Sequence, residues 1–254
     1  MRHKNIIAAA LGLAGLLALG ACGGGNSNSN SDNPSAKQPQ AAPPPPPSGF
    51  TLAVDFNQGI AGWTGGTADY TVNTKPTEVK FAFEPMPAPL SGKGYFIGAH
   101  NNSDDVLVYV KKQFGGFAPS TKYKLNFELR FASDIASGCY GVGGSPGDAV
   151  HMLAVASPIE PLTELQGAED YRLNIERGNQ AANGQFGRVL GTLGNGTTDC
   201  HARTYVSKAV KSAEAMEVQS DAEGKLWVLF GMDSGFEASG HAILQSAGVT
   251  ATPL

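Results

Sequence analysis

Residues 50–254 are expected to form an all-β body of two antiparallel sheets packed face to face, the jelly-roll kind of β-sandwich. Three observations lead there. Apolar residues alternate with polar ones over many short runs, glycine, proline, Asp and Asn punctuate those runs at regular spacing, and no long window carries a 3.6-residue period. The 205 residues from Phe50 onward are enough for one domain with a substantial core, and no internal repeat points to a propeller or solenoid.

The strands are read off in order. Phe50, Leu52, Val54 and Phe56 alternate with Thr51, Ala53 and Asp55, and Val79, Phe81 and Phe83 do the same. Val106, Val108 and Val110 repeat the pattern. From Tyr123 to Phe131 every odd position is large and apolar and every even one polar or charged, so one face belongs to a core and the other to water. Tyr171, Leu173 and Ile175 form a shorter run. Leu226–Phe230 is apolar throughout and reads as a central strand covered on both faces. Turn signals lie at 91–94 (SGKG), 118–120 (APS), 143–147 (GGSPG) and 221–224 (DAEG). The last is expected to close a hairpin between Met216–Gln219 and Lys225–Gly231, while Ser207–Ala215 is read as a short helix or as no helix.

Ahead of this body lie two segments of different composition. Residues 1–21 carry Arg2 and Lys4 and then an apolar stretch from Ile6 to Leu19, shorter than the roughly 20 residues a spanning helix needs. The stretch from Leu16 to Cys22 (LLALGAC) resembles the lipobox of bacterial lipoproteins. That resemblance implies cleavage before Cys22, acylation of its sulfur and attachment to a lipid bilayer. With Gly23 rather than Asp after the cysteine, it implies the outer membrane of a Gram-negative bacterium. The alternative is an ordinary signal peptide followed by an incidental cysteine. Residues 22–49 run through Gly, Asn, Ser and Gln into Pro43–Pro47 and offer almost no apolar surface to offset chain entropy, so they are expected to be a disordered tether, stiffened at its proline end.

Composition narrows the function classes. Without Arg2 and Lys4 the chain keeps 16 basic against 22 acidic residues, and Lys111 with Lys112 is the only adjacent basic pair. A nucleic-acid partner is thereby excluded as an expectation. With Cys22 assigned to lipid, Cys139 and Cys200 are left as an even pair in an oxidising compartment and are expected to form a disulfide. Zinc is the competing reading because His201 follows Cys200, but no further Cys or His stands at ligand spacing.

A second resemblance rests on two stretches. Val54–Trp63 (VDFNQGIAGW) is similar to the first strand and turn of galactose-binding-like jelly rolls, the group that holds many carbohydrate-binding modules. Phe117–Arg130 (FAPSTKYKLNFELR) is similar to their middle proline turn and long strand. The resemblance implies a noncatalytic, membrane-anchored protein that recognises glycan or another envelope or extracellular component. It departs from the family at 244–249 (LQSAGV), where an acidic pair is often found, which puts the family's calcium site in doubt.

Candidate chemistry sits in turns. Asp104 and Asp105, Asp148 beside the glycine-rich loop, and Asp233 with Glu237 are carboxylates near strand ends, suited to gather around a structural calcium ion or sugar hydroxyls. Such residues also occupy turns simply by bonding their own backbone. Asp233 and Glu237 are the pair a glycan hydrolase or lyase would use, although a four-residue offset sets neither face nor separation. Tyr140, Tyr70 and Phe236 are the rings expected outside the core, and Trp63 and Trp227 are expected inside it. Residues 143–147 spell a serine-hydrolase elbow, but Pro146 lacks the N–H its oxyanion hole requires. A structural lipoprotein with an envelope protein as partner is the third reading.

Overall fold

The computed structural model describes residues 48–254; the expected signal segment, Cys22 and nearly all of the tether lie outside the described residues. The strands are β1 (Phe50–Asp55), β2 (Thr64–Ala68), β3 (Tyr70–Thr71), β4 (Thr77–Pro85), β5 (Lys93–His100) and β6 (Val106–Phe114). Next come β7 (Lys122–Ser133), β8 (Val150–Ser157), β9 (Thr163–Gln166), β10 (Asp170–Leu173), β11 (Gly178–Asn179) and β12 (Ala182–Asn183). The chain ends with β13 (Gly187–Thr192), β14 (Val206–Lys211), β15 (Met216–Gln219), β16 (Leu226–Ser234) and β17 (Ser239–Pro253). The only helical element described is a 3-10 turn at Phe56–Gln58.

Two sheets carry the body, and every pairing is antiparallel. A seven-stranded sheet runs β14-β7-β17-β5-β4, with β15 also on β7 and β1 also on β17; a five-stranded sheet runs β13-β8-β16-β6-β2. The alternation of β7 places Tyr123, Leu125, Phe127, Leu129 and Phe131 inward, none more than 1% exposed. They form one continuous core with Val108 and Val110 of β6, Met152 and Ala154 of β8, and Val228, Phe230 and Met232 of β16, so the two sheets face each other. Each of those large side chains contributes about 1.5–3 kcal/mol relative to exposure, and β7 alone supplies five.

The five-stranded sheet is covered on its other face as well. Leu107 and Tyr109 of β6, Leu153 and Val155 of β8 and Leu229 of β16 form a second buried cluster with Leu173 and Ile175. The cover is the excursion at 158–186 between β8 and β13, which carries β9, β10 and the ribbon β11-β12; β3, which follows β2, joins β10 and β9 in a small sheet. The continuous apolar character of Leu226–Phe230 is thus explained: alternate residues enter two different cores.

One reading left open is settled and one expectation is corrected. Ser207–Ala215 holds no helix; β14 pairs with Glu128–Ser133 of β7, β15 pairs with Lys122–Leu125 of the same edge, and Ser212 bridges the gap. Its hydroxyl accepts from Phe127 N at 3.0 Å, while its own N–H donates to Phe127 O at 2.9 Å. An unpaired edge of β7 therefore outweighs weak local propensity. The turn at 221–224 is real, with Asp221 Oδ1 accepting from Lys225 N at 2.7 Å, but it closes no hairpin. It hands the chain from β15 in one sheet to β16 in the other.

Candidate functional site

The site begins with a carboxylate on the wrong face of an apolar strand. Along β16, Leu229, Gly231 and Asp233 point away from the inter-sheet core, and Asp233 lies opposite Leu107 of β6 and His151 of β8. The excursion covers it, leaving Asp233 fully buried. Two pins hold that cover down. Tyr109 Oη lies 3.1 Å from Thr163 Oγ1, which itself donates to Thr67 O at 2.8 Å. Lys111 Nζ donates to Glu160 Oε1 at 2.8 Å and sits 5.4 Å from the centre of the half-buried Trp227 ring. Gly66 is required here because a Cβ at that position would approach the Tyr109 ring to 2.5 Å.

Beneath the cover, Arg177 joins two buried acids. Its Nη1 donates to Asp233 Oδ2 at 2.7 Å, and its Nη2 is paired with Asp69 Oδ2. Gln180 N donates to the same Asp233 oxygen at 2.6 Å. Arg172 makes the neighbouring pair with Asp105 Oδ2 at 2.7 Å. Asp69 follows β2 with φ 62°, a left-handed conformation that Asp adopts more readily than most residues, and its N–H donates to Tyr171 O at 2.7 Å. One carboxylate oxygen from each of Asp69, Asp105 and Asp233 lies within 4.8 Å of the other two.

The electrostatics follow from burial. Desolvation pushes the Asp105 carboxyl up to about 6, with nearby Asp233 and Asp69 adding to the rise and the Arg172 hydrogen bond opposing it. Burial likewise raises Asp233, against the pull of Arg177. His151 is shifted down, mainly by burial, which keeps its ring neutral at physiological pH. The guanidiniums remain charged.

A cavity of about 530 Å³ opens beside this cluster, lined by Asp69, Asp105, Gln166, Arg172, Arg177 and Asn179 among others. On the same small sheet, Tyr70 of β3 and Tyr171 of β10 are register partners, and their half-buried rings stack at 5.0 Å with 20° between planes. They border a second depression of about 210 Å³ with Val72 and Lys75.

Of the sequence candidates, Asp105 and Asp233 meet in the acidic cluster, while Phe236 and Glu237 lie against the glycine-rich loop, where Glu237 N donates to Val142 O at 2.9 Å. Asp233 is a strand residue under cover rather than a loop carboxylate, whereas Glu237 is exposed. The two therefore do not flank a common bond. Asp104 is exposed, and only its carbonyl is engaged, by Gln180 Nε2 at 2.9 Å. Asp148 accepts from Gly138 N at 2.6 Å and Ser145 Oγ at 3.1 Å, which makes it a turn residue. Tyr140 is fully exposed as expected, while Phe236 is half-buried against the main core. Asp69, Arg172 and Arg177 were missed. The one signal for them was Asp233 itself, a carboxylate in phase with Leu229 on a covered face, which demands a cationic partner.

The expected Cys139–Cys200 disulfide is present, with Cα atoms 5.7 Å apart. It ties the glycine-rich loop to the segment at 195–203, where Ser137 N donates to Thr197 O at 2.8 Å. The class that fold and site define is thus a disulfide-tied, all-antiparallel β-sandwich with a polar cavity on one outer face.

No protein-family model matches the chain, and no curated protein matches it in sequence. Several solved structures are similar in outline. The K1 cleaved adhesin domain of Lys-gingipain from Porphyromonas gingivalis W83 is 14% identical over 79% of this chain and 98% of that one, with a TM-score of 0.36. The family 11 carbohydrate-binding module of a cellulosomal cellulase of Clostridium thermocellum is 10% identical over 79% of this chain and 94% of its own, with a TM-score of 0.37. The enzymatically active domain of bacteriophage CBA120 tailspike protein 4 is 11% identical with a TM-score of 0.32; the match covers 78% of this chain and only 20% of that one. Likenesses at this level pass neither ligand nor activity to this chain.

Proposed function

We propose that the chain is a noncatalytic glycan-binding lipoprotein, attached by acylated Cys22 to the outer membrane and carrying its sandwich on the 22–49 tether. The observation that carries the reading is one small sheet with two features: a cavity lined by planar polar groups on one flank and a stacked tyrosine pair on the other. Sugars present hydroxyls that both donate and accept, and apolar ring faces that pack on aromatic rings. Arg172, Gln166 and Asn179 match the first property, and Tyr70 with Tyr171 the second.

The noncatalytic part rests on access. Glycoside hydrolysis needs two carboxyls at the scissile bond, and of the three clustered acids Asp233 and Asp69 are buried and held by Arg177. Only Asp105 is partly open to the cavity.

Glycan-array binding by the purified chain, alongside an assay for released sugar, tests the proposal. Binding without release, lost in Tyr171→Ala and Arg172→Ala, is expected. Release of reducing sugar would replace it with the hydrolase reading, and an array without signal would replace it with an envelope-protein partner. Incorporation of labelled palmitate, abolished by Cys22→Ala, tests the anchor.

A further inference from the structure

The acidic cluster has a feature that glycan recognition does not explain. Each of its three carboxylates has one oxygen engaged by an arginine: Asp69 Oδ2 and Asp233 Oδ2 by Arg177, Asp105 Oδ2 by Arg172. The other oxygen of each makes no hydrogen bond. Asp105 Oδ1 and Asp233 Oδ1 are buried without any partner, and Asp69 Oδ1 is 3.6 Å from Arg172 Nη1, too long for one. Buried carboxylate oxygens are ordinarily satisfied, so two orphans in one cluster, one of them on the fully buried Asp233, point to a missing positive partner.

The charge tally agrees. Three carboxyl groups face two guanidiniums, one acid more than there are cations. Asp170 at 3.8 Å from Arg172 Nη2 and Glu176 at the cavity wall add to the excess. A donor set made only of carboxylate oxygens suits a hard cation better than zinc, whose protein sites are built mainly on sulfur and nitrogen. Calcium bonds oxygen at about 2.3–2.6 Å and completes its shell with water, and the adjoining cavity supplies the room.

We propose that Asp69, Asp105 and Asp233 hold a calcium ion at the buried end of the cavity. The ion ties the end of β2, the start of β6 and the end of β16 together beneath the excursion at 158–186. The proposal is independent of what the cavity binds.

The test is calcium binding by the full chain, stripped with chelator and then titrated calorimetrically with CaCl2, MgCl2 and ZnCl2. One calcium per chain is expected, with a dissociation constant of about 0.1–1 mM as in extracellular modules, and a higher melting temperature in calcium. Asp105→Asn, the least buried of the three, is expected to weaken binding at least about tenfold. Asp148→Asn, whose carboxylate lies in the glycine-rich loop, is expected to leave it unchanged. Should Asp69→Asn and Asp233→Asn fail to fold, elemental analysis of the unmodified chain and the Asp105→Asn titration still decide. No bound calcium at about 1 mM, a preference for zinc, or full binding retained in Asp105→Asn would overturn the proposal. Glycan binding that persists after chelation leaves the functional reading standing, and calcium binding without any glycan signal leaves this one standing.

Discussion

Asp148 and Asp233 read alike in sequence, each a carboxylate near a strand end beside glycine and serine, yet they occupy opposite physical situations. Asp148 is exposed and meets its needs within ten residues, from Gly138 N and Ser145 Oγ. Asp233 is buried in β16 and draws on Arg177 and Gln180, more than fifty residues away. The first organises its own loop, and the disulfide does the rest. The second cannot exist without a distant cation, so it couples the excursion to the sheet. A turn carboxylate reports on local backbone, and a strand carboxylate on a covered face reports on tertiary charge.

The largest expected effect comes from the loop region. In the loop-entropy picture, replacing Cys139 and Cys200 by Ala releases a 61-residue closure, worth about 4 kcal/mol. Denaturant unfolding of the double variant checks the value, and a loss below about 1 kcal/mol would mean that the hydrogen bonds joining 134–148 to 193–204 suffice alone. Next is Arg177→Met, which strands Asp69 and Asp233 and is expected to cost about 3 kcal/mol. If Arg177→Met unfolds at the unmodified midpoint, the contrast between the two regions collapses.

These two regions also divide what was legible from the chain alone. Alternation in 123–131 identified β7, because a period of two has one structural meaning when the apolar side is large. Cysteine parity identified the disulfide. The two-sheet sandwich followed from those alternations together with the turn residues. What escaped was partner choice. Nothing local distinguishes a turn that closes a hairpin from one that changes sheets, so 221–224 was assigned to the wrong partner. Arg172 lies inside the short alternating run Tyr171–Ile175 and Arg177 just beyond it, and nothing in that run names the face of β16 on which they land. The acidic cluster was therefore readable at Asp105 and Asp233, and silent at Asp69.

A smaller effect concerns pH and lies beside the disulfide. His241 is packed among Tyr205, whose Oη lies 2.9 Å from Nε2, Asp134 at 3.4 Å, and the Phe96 ring stacked at 5.2 Å. Burial lowers its pKa below 6.5, with Arg203 and Lys80 pulling the same way and Asp134 and Glu84 opposing. A depressed histidine takes up its proton more readily when unfolded. Its contribution is therefore complete above the unfolded value and is lost as pH falls below about 6.5. Unfolding midpoints measured between pH 7 and pH 5 should decline, and less steeply in His241→Gln. An equal slope in both would assign the decline to carboxylates.

Smaller again is Asp148→Ala, expected to cost roughly 1 kcal/mol, because the charge-assisted bonds it loses are solvent-exposed and the disulfide still closes the loop. The smallest expected effect is the most useful for function. Tyr140 stands fully exposed on the same loop and touches no core, so Tyr140→Ala should leave the unfolding midpoint where it was. Tyr171→Ala, by contrast, removes one ring of a stacked pair. If glycan binding falls in Tyr171→Ala alone, the ligand sits on the excursion. A fall in Tyr140→Ala at unchanged stability has no structural excuse; recognition would then belong to the disulfide loop, and the buried acids would serve only to hold the sandwich's cover in place.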